Sequence, residues 1–261
     1  MPAMVFKSLR RALGVGGPTV DTVLQRPDVR PGEPLAGQVL FAGGEHEVEI
    51  ERIVVALVTR VEVETGDGEY DSTVEFQRQQ LTGGFRLAPG MRHGVPFQLP
   101  VPWETPITHM YGQRLPGMAI GVRTELEVAR AVDKGDLDPI NVHPLPAQAA
   151  VLAAFVELGF QFKSADLERG FIYGARQTLP FYQEIEFWAA PQYQGQVTEV
   201  ELTFVTDSHG MEIILELDKR RGGHDAISRF KIGHAQAGSV DWPRQVDGWM
   251  RQTPRNRFSG S

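Results

Sequence analysis

The amino-acid sequence predicts an all-β protein of two sandwich halves in tandem. Three observations carry that expectation. Apolar and polar residues alternate with period two on both sides of a proline-rich stretch near residue 144. The 28 Gly and 18 Pro are spread along the chain, which suits many short elements joined by turns. Helical spacing is almost absent from the first 130 residues. A length of 261 residues fits one large domain or two moderate ones, and 41% apolar content is enough for a sizeable core.

Taken in order, residues 4–13 have helical spacing. Val5, Phe6, Leu9, Ala12 and Leu13 lie on one side, and Lys7, Ser8, Arg10 and Arg11 on the other. Gly14, backed by Gly16 and Gly17, stops this short basic helix. Strands are expected at 20–24 and 35–41, separated by the turn-rich stretch 26–34 and closed by Gly43-Gly44. The longest β signal covers 48–64, with Ile53, Val55, Leu57, Thr59, Val61 and Val63 on its more apolar face. Asp67-Gly68 is a hairpin-type dipeptide leading into a strand over 70–80. Pro89, Gly90 and Pro96 punctuate the next stretch, residues 100–106 suit an edge segment or ordered loop, and 122–128 alternate again.

Residues 133–146 look like a proline- and aspartate-rich connection, and they divide the chain into domains 1–144 and 145–261. Pro146 favours a helix start, so Ala147–Leu158 forms the one longer helix, ended by Gly159. Strands resume at 160–162, 179–189, 196–206 and 211–218. The turn Asp207-Ser-His-Gly210 joins the last two, placing Val200, Leu202 and Phe204 opposite Ile213, Leu215 and Leu217. The tail holds Trp242-Pro243 and Val246-Asp-Gly-Trp249, and residues 253–261 look frayed.

Composition excludes several classes of function. Without cysteine there is no disulfide scaffold, thiolate zinc site, cysteine nucleophile or iron–sulfur cluster. A balance of 26 basic against 33 acidic residues argues against a globally basic nucleic-acid binder. The longest apolar run, 147–156, is far short of the roughly 20 residues that span a bilayer. With no export signature at its start, the chain is expected to be cytoplasmic.

No motif carries chemistry. Histidines at 46, 93, 109, 143, 209, 224 and 234 lack metal-ligand spacing. Glu184 and Glu186, like Glu199 and Glu201, share one face of a strand, a pattern that suits acid–base work but is far commoner on a solvated sheet face. Asp133, Asp136 and Asp138 lack the graded spacing of a calcium loop. Ser208-His209 is explained by a hairpin turn, without the elbow a serine nucleophile needs. Gly14 to Gly17 does not follow a strand, and Lys219-Arg220-Arg221 is a small basic cluster at a strand end. No catalytic, cofactor or metal residue is assigned. The functional candidate is the N-terminal helix, through Phe6, Lys7, Leu9, Arg10 and Arg11: its stripe suits a partner groove or an anionic membrane. The competing reading is packing on the first half, because so short a helix is marginal alone.

Several segments recur together in a known order. In the first half these are the basic helix, Val20-Asp-Thr22, Pro31-Gly-Glu33 before Gly37-Gln-Val39, Gly43-Gly44 and the strand from Val48. In the second half they are Leu158-Gly-Phe160, Leu179-Pro-Phe181 with Gln183 to Phe187, Gly195 before Val200-Glu-Leu202, and Glu216-Leu-Asp218 near Arg220. From Met4 to Trp249 the chain thereby resembles the sporulation-control proteins of the SpoOM type, whose fold is arrestin-like. The resemblance implies two tandem arrestin-like β-sandwich domains, related to the halves of arrestins and of retromer-type trafficking adaptors. It further implies a regulatory role in bacterial sporulation or development, exerted through protein contacts and without catalytic residues or cofactors. The expected protein is a non-enzymatic adaptor or regulator that binds other proteins at strand edges or in the cleft between halves. A peripheral membrane scaffold docking through residues 4–13 and a carrier of an apolar ligand are the alternatives. No nucleic-acid partner is expected, and a homodimer is left open.

Overall fold

The computed structural model, which describes residues 16–65, 68–195, 197–219 and 226–252, is organised around one strand of 18 residues. In chain order the first part contains β1 (Thr19–Leu24), β2 (Asp28–Val29), β3 (Pro34–Ala42), β4 (Val48–Thr65), β5 (Gly68–Thr82) and β6 (Phe85–Leu87). Next come β7 (Arg92–Pro100), β8 (His109–Met110), β9 (Gln113–Arg114), β10 (Ile120–Val128) and β11 (Lys134–Val142). The remainder is α1 (Pro146–Glu157), β12 (Gln161–Arg169), β13 (Phe181–Trp188), β14 (Val197–Thr206), β15 (Gly210–Lys219), β16 (Ala226–Gly233), α2 (His234–Ala237) and α3 (Trp242–Gln252). The protein is mostly β, as its alternation predicts. The N-terminal helix expected over 4–13 and the tail 253–261 lie outside the described residues.

β1, β3 and β7 form a three-stranded antiparallel sheet. A second sheet runs β16-β15-β14-β13-β12-β4-β10-β11-β2, with β5 and β6 also paired to β4. One apolar core lies between the small sheet and β4, β10 and β11, where Val39, Ile53, Leu57, Leu99, Val122 and Leu126 are all sealed from solvent. β4 buries its other face too. Val54, Ala56 and Val58 are covered by long side chains from the flanking strands, with Arg78 of β5 and Arg123 of β10 both in register with Ala56. These arginines belong to a lattice in which Arg78 contacts Glu75, Glu125 and Glu127, Arg123 contacts Glu75 and Glu125, and Arg52 contacts Glu127. Charges on this outer face are balanced.

A second core fills the space between β12–β15 and the helices α1 and α3, with Ile107, Met110, Leu115 and Met118 from the stretch before β10. The two cores meet along β4. Val61 reaches the second one, Glu62 pairs in parallel with Glu168 of β12, and Phe76 of β5 sets its ring edge-on to Phe181 at 5.5 Å. α1 is closed at both ends. Gln148 accepts a hydrogen bond from Leu145 N–H at 2.8 Å at its start. At its end Gly159, at φ +92°, lets Phe160 N–H reach Phe155 O (3.0 Å) and Gly159 N–H reach Val156 O (2.9 Å), a Schellman arrangement. The Phe155 and Phe160 rings pack at 4.9 Å across that turn.

β12 runs on to Arg169, beyond the strand expected at 160–162, β16 has no counterpart among the expected strands, and three further stretches change character. Residues 134–142 are not a connection but strand β11, antiparallel to β10 and touching β2 only at Asn141 and Val142. Pro139 sits where β11 pairs with β10 alone, a position that tolerates a missing N–H. Residues 92–100, punctuated by proline, nevertheless form β7, paired only with β3. The tail segment from Trp242 is the helix α3, held by Trp242 Nε1–H donating to Ala237 O at 3.0 Å and by Trp249 stacked on Phe230 at 4.1 Å.

Candidate functional site

The outer face of β12–β15 collects acidic side chains in rows. Asp166 faces Glu184, and Ser164, Glu186, Glu201 and Glu216 lie in register across four strands. Like charges placed directly opposite one another disfavour the sheet. Lys163, raised from its usual value by hydrogen bonds to Glu186 and Glu199, relieves one side of this face. Its ammonium also lies 5.0 Å from the centre of the Trp188 ring.

The other side of the face is roofed. Residues 170–178 fold over it and leave a cavity of about 200 Å³ with Glu184, Glu201 and Glu216 on its floor and Tyr173, Tyr182 and Ile227 in its walls. Gln177 fixes this loop, accepting from Ile172 N–H at 3.0 Å and donating to the carbonyls of Gly170 and Leu179 at 2.7 Å. Arg229 holds it from β16 by a hydrogen bond to Tyr173 O. Roofing changes the chemistry of the acids. Burial, then the charges of Glu201, Asp166, Glu168 and Glu216, pushes Glu184 up to about 8. Burial and Glu216 push Glu201 to about 7, burial and Glu186 push Asp166 to about 6, and burial raises the Tyr182 phenol to about 12. At neutral pH the floor is therefore partly protonated, so its acids can donate as well as accept hydrogen bonds.

Asp166, Glu168 and Glu184 each bring a carboxylate oxygen within 4.8 Å of the others, the one such group among the described residues. This all-oxygen set has the chemistry of a hard divalent cation such as Mg²⁺ or Ca²⁺. The sequence pairs Glu184 with Glu186 and Glu199 with Glu201 are thus brought together. The expected solvated face is corrected to a half-buried one, because the loop over it cannot be read from strand alternation. No local signal in the sequence marks Asp166, Glu168 or Tyr173, since their approach depends on the β12–β13 register and on that loop.

The remaining candidates scatter. Asp133 accepts from Val128 N–H (3.1 Å) and Asp136 from Thr22 N–H (2.9 Å), so both organise backbone; Asp138 is pushed up to about 7 by burial and by Asp136. In the hairpin turn, Ser208 Oγ and Asp207 Oδ1 lie 3.2 and 3.6 Å from the same nitrogen, Nδ1 of His209. A triad needs the imidazole to bridge the two through different nitrogens, so this turn has no relay geometry. His109 and His143 lie with ring centres 5.0 Å apart, His143 bonded to Asp28 at 2.7 Å, and His234 stacks on Trp103 at 5.4 Å. Phe6, Lys7, Leu9, Arg10, Arg11, Arg220, Arg221 and His224 lie outside the described residues. No described helix is long and apolar enough to cross a membrane.

Comparison with known proteins gives one consistent answer. A sequence model of the SpoOM protein family matches residues 6–221. The sporulation-control protein spo0M of Bacillus subtilis strain 168 is 36% identical over 219 residues, covering 84% of this chain and 82% of that protein. The crystal structure of Spo0M, sporulation control protein, from Bacillus subtilis superposes with a TM-score of 0.80 at 28% identity, covering 92% of this chain and all of that one. With the family pattern matched across most of its length and the fold shared, the chain belongs to the SpoOM protein family.

Proposed function

We propose that this chain is a non-enzymatic control protein of bacterial sporulation or development that works by binding other proteins. The observation that carries the reading is its kinship to a sporulation-control protein over 84% of its length. Among the described residues nothing is arranged as a nucleophile with a base and an orienting group, which favours contact over chemistry as its mode of action. In this reading the chain works as two units, 1–144 and 145–261, that present sheet faces and edges to partners in the cytoplasm. Expression in a Bacillus subtilis strain lacking its own sporulation-control protein tests it. Spore yield returns toward that of the parent strain if the role is shared, and yield unchanged from the deletion strain rejects it.

The basic amphipathic pattern of residues 4–13 supports a second reading, a peripheral scaffold on anionic membranes. Flotation with anionic liposomes separates the two. Binding that disappears in a Phe6→Asp, Leu9→Asp variant supports the membrane reading, and identical behaviour of the two proteins rejects it.

A further inference from the structure

We propose that the seam between β1 and β11 is a pH-operated latch, closed while Asp136 and Asp138 share a proton and loosened when that proton leaves, which frees the facing edges of both strands. Such a latch belongs to the chain itself and does not depend on a partner.

β1 closes the first half without a ladder. It pairs with β3 alone, while β11 pairs with β10 over 134–140 and with β2 only at Asn141 and Val142. β1 and β11 lie side by side with no backbone pairing between them. Side chains do the joining. Thr22 N–H donates to Asp136 Oδ2 at 2.9 Å, and the hydroxyls of Thr22 and Thr124 are hydrogen-bonded at 2.6 Å. When those bonds part, two unpaired strand edges are left open to pairing from outside.

The joint is made of acids. Asp136 and Asp138 stand directly opposite Thr124 and Val122 of β10, both sealed from solvent, so their carboxyl groups lie on the core-facing side of β11. Asp136 accepts at both oxygens, from Thr22 N–H and from Leu137 N–H (3.0 Å), which is the work of a carboxylate. Asp138 Oδ2 is sealed and meets no hydrogen-bond donor among the described residues. An ionised oxygen in such a place is costly, so the proton stays on Asp138. Burial, then Asp136 as a charge and as a hydrogen-bond partner, then Asp21, hold it up at about 7.

Neighbouring elements do not relieve the charge. From β1, Asp21 is itself raised by burial and by Asp136. From β10 and β3, the residues opposite Asp136, Asp138 and Asp21 are the uncharged Thr124, Val122 and Leu40. Along β11, Lys134 stands opposite Leu126 and carries an interaction of its own, and Asp133 accepts from Val128 N–H. An aspartate ordinarily titrates near 3.8. Between that value and about 7 the closed seam keeps a proton that the opened seam releases, so opening becomes more favourable as pH rises through the window. Above the window both forms are ionised and the effect levels off.

The test is amide hydrogen exchange in the full chain, followed residue by residue by NMR at pH 5 and pH 7.5 and corrected for the intrinsic pH dependence of exchange. Val39 of β3, sealed in the same core, reports opening of the whole half and serves as reference. Thr22 should lose about tenfold more protection than Val39 between the two pH values. Asp138→Asn should bring Thr22 back into step with Val39, and Asp21→Asn should shrink the excess without abolishing it. Parallel losses at Thr22 and Val39 in the parent chain would overturn the latch with no variant needed. So would an excess loss that persists in a folded Asp138→Asn chain. The carboxyl ¹³C resonance of Asp138 in the parent is the second readout: titration near 7 supports the latch, and titration near 4 overturns it.

Discussion

Gln183 of β13 holds the backbone of Ile107 from both sides: Ile107 N–H donates to its Oε1 and its Nε2 donates to Ile107 O, each at 2.9 Å. One amide side chain thus stands in for a strand neighbour, at a point where loop 101–108 leaves the first core and enters the second. Glu104 reinforces it nearby, accepting from Thr178 N–H, Thr178 Oγ1–H and Leu179 N–H at 2.7 to 3.1 Å. These bonds join parts of the chain more than 70 residues apart.

Gln183→Leu keeps the approximate volume and removes both hydrogen bonds. Each backbone group left without a partner in this part-buried place costs about 1–3 kcal/mol. The variant should lose about 2–6 kcal/mol in urea unfolding followed by fluorescence. An unchanged midpoint would show that the bonds to Ile107 are readily replaced by water.

Two glycines with the same backbone requirement separate strain from crowding. Gly32 and Gly90 both have left-handed φ, +82° and +66°. A Cβ on Gly32 would lie 2.6 Å from the Trp103 ring, whereas one on Gly90 meets nothing within 4 Å. Gly90→Ala should cost about 1 kcal/mol, the conformational penalty alone. Gly32→Ala must also displace Trp103 from its stack on His234 and should lower Tm further, by several degrees. Equal Tm losses would mean that the indole yields freely.

How far the sequence discloses this molecule depends on where the information resides. β3, β4, β10, β14 and β15 are legible because one face of each is sealed against a core, so alternation is written into them. The facing of Val200, Leu202 and Phe204 with Leu217, Leu215 and Ile213 is set by the hairpin turn and is observed. β7 and β11 are hidden because edge strands tolerate the Pro96 and Pro139 that a central strand would reject. α3 carries its signal in Trp242, Val246, Trp249 and Met250, at helical spacing, but Pro243 and Gly248 disguise it as tail. The roofed acidic pocket is the least legible feature. Half its carboxylates read as ordinary alternation, and the loop that buries them declares itself only once folded.

Trp249 anchors α3, and its loss should be felt by the whole second core. It is 4% exposed, stacks on Phe230 with the planes 15° apart, and meets Trp242 edge-on at 6.2 Å. Truncating a buried indole typically costs about 3–5 kcal/mol, a large share of a total near 5–15 kcal/mol. Trp249→Ala should therefore speed tryptic cleavage at Arg244 and Arg251 well ahead of cleavage at Arg52 or Arg123 in the first half. Simultaneous acceleration at all four sites would show that the chain opens as one cooperative unit instead.

The acidic pocket should leave a signature in how stability depends on pH. Glu184 ordinarily titrates near 4.5 and is held at about 8 in the folded chain by burial and by Glu201, Asp166, Glu168 and Glu216, with Lys163 turned toward Glu186 and Glu199. Between those two values the folded chain keeps a proton that the unfolded chain has released, so stability falls as pH rises through the window. Glu201, at about 7, acts in the same sense. Asp28, Asp207 and Asp247, held below their usual value of 3.8 by hydrogen bonds from His143, the His209 backbone and Arg251, act in the opposite sense and only below about pH 4. Glu184→Gln removes the titration while keeping the shape. It should come closest to the parent at pH 5, where the folded parent is protonated and the window has only begun, and exceed it at pH 8.5 by about 1–3 kcal/mol more, or several degrees of Tm. Thermal unfolding of both proteins across pH 5 to 8.5 checks this, and parallel curves would show that the carboxylate is well solvated after all.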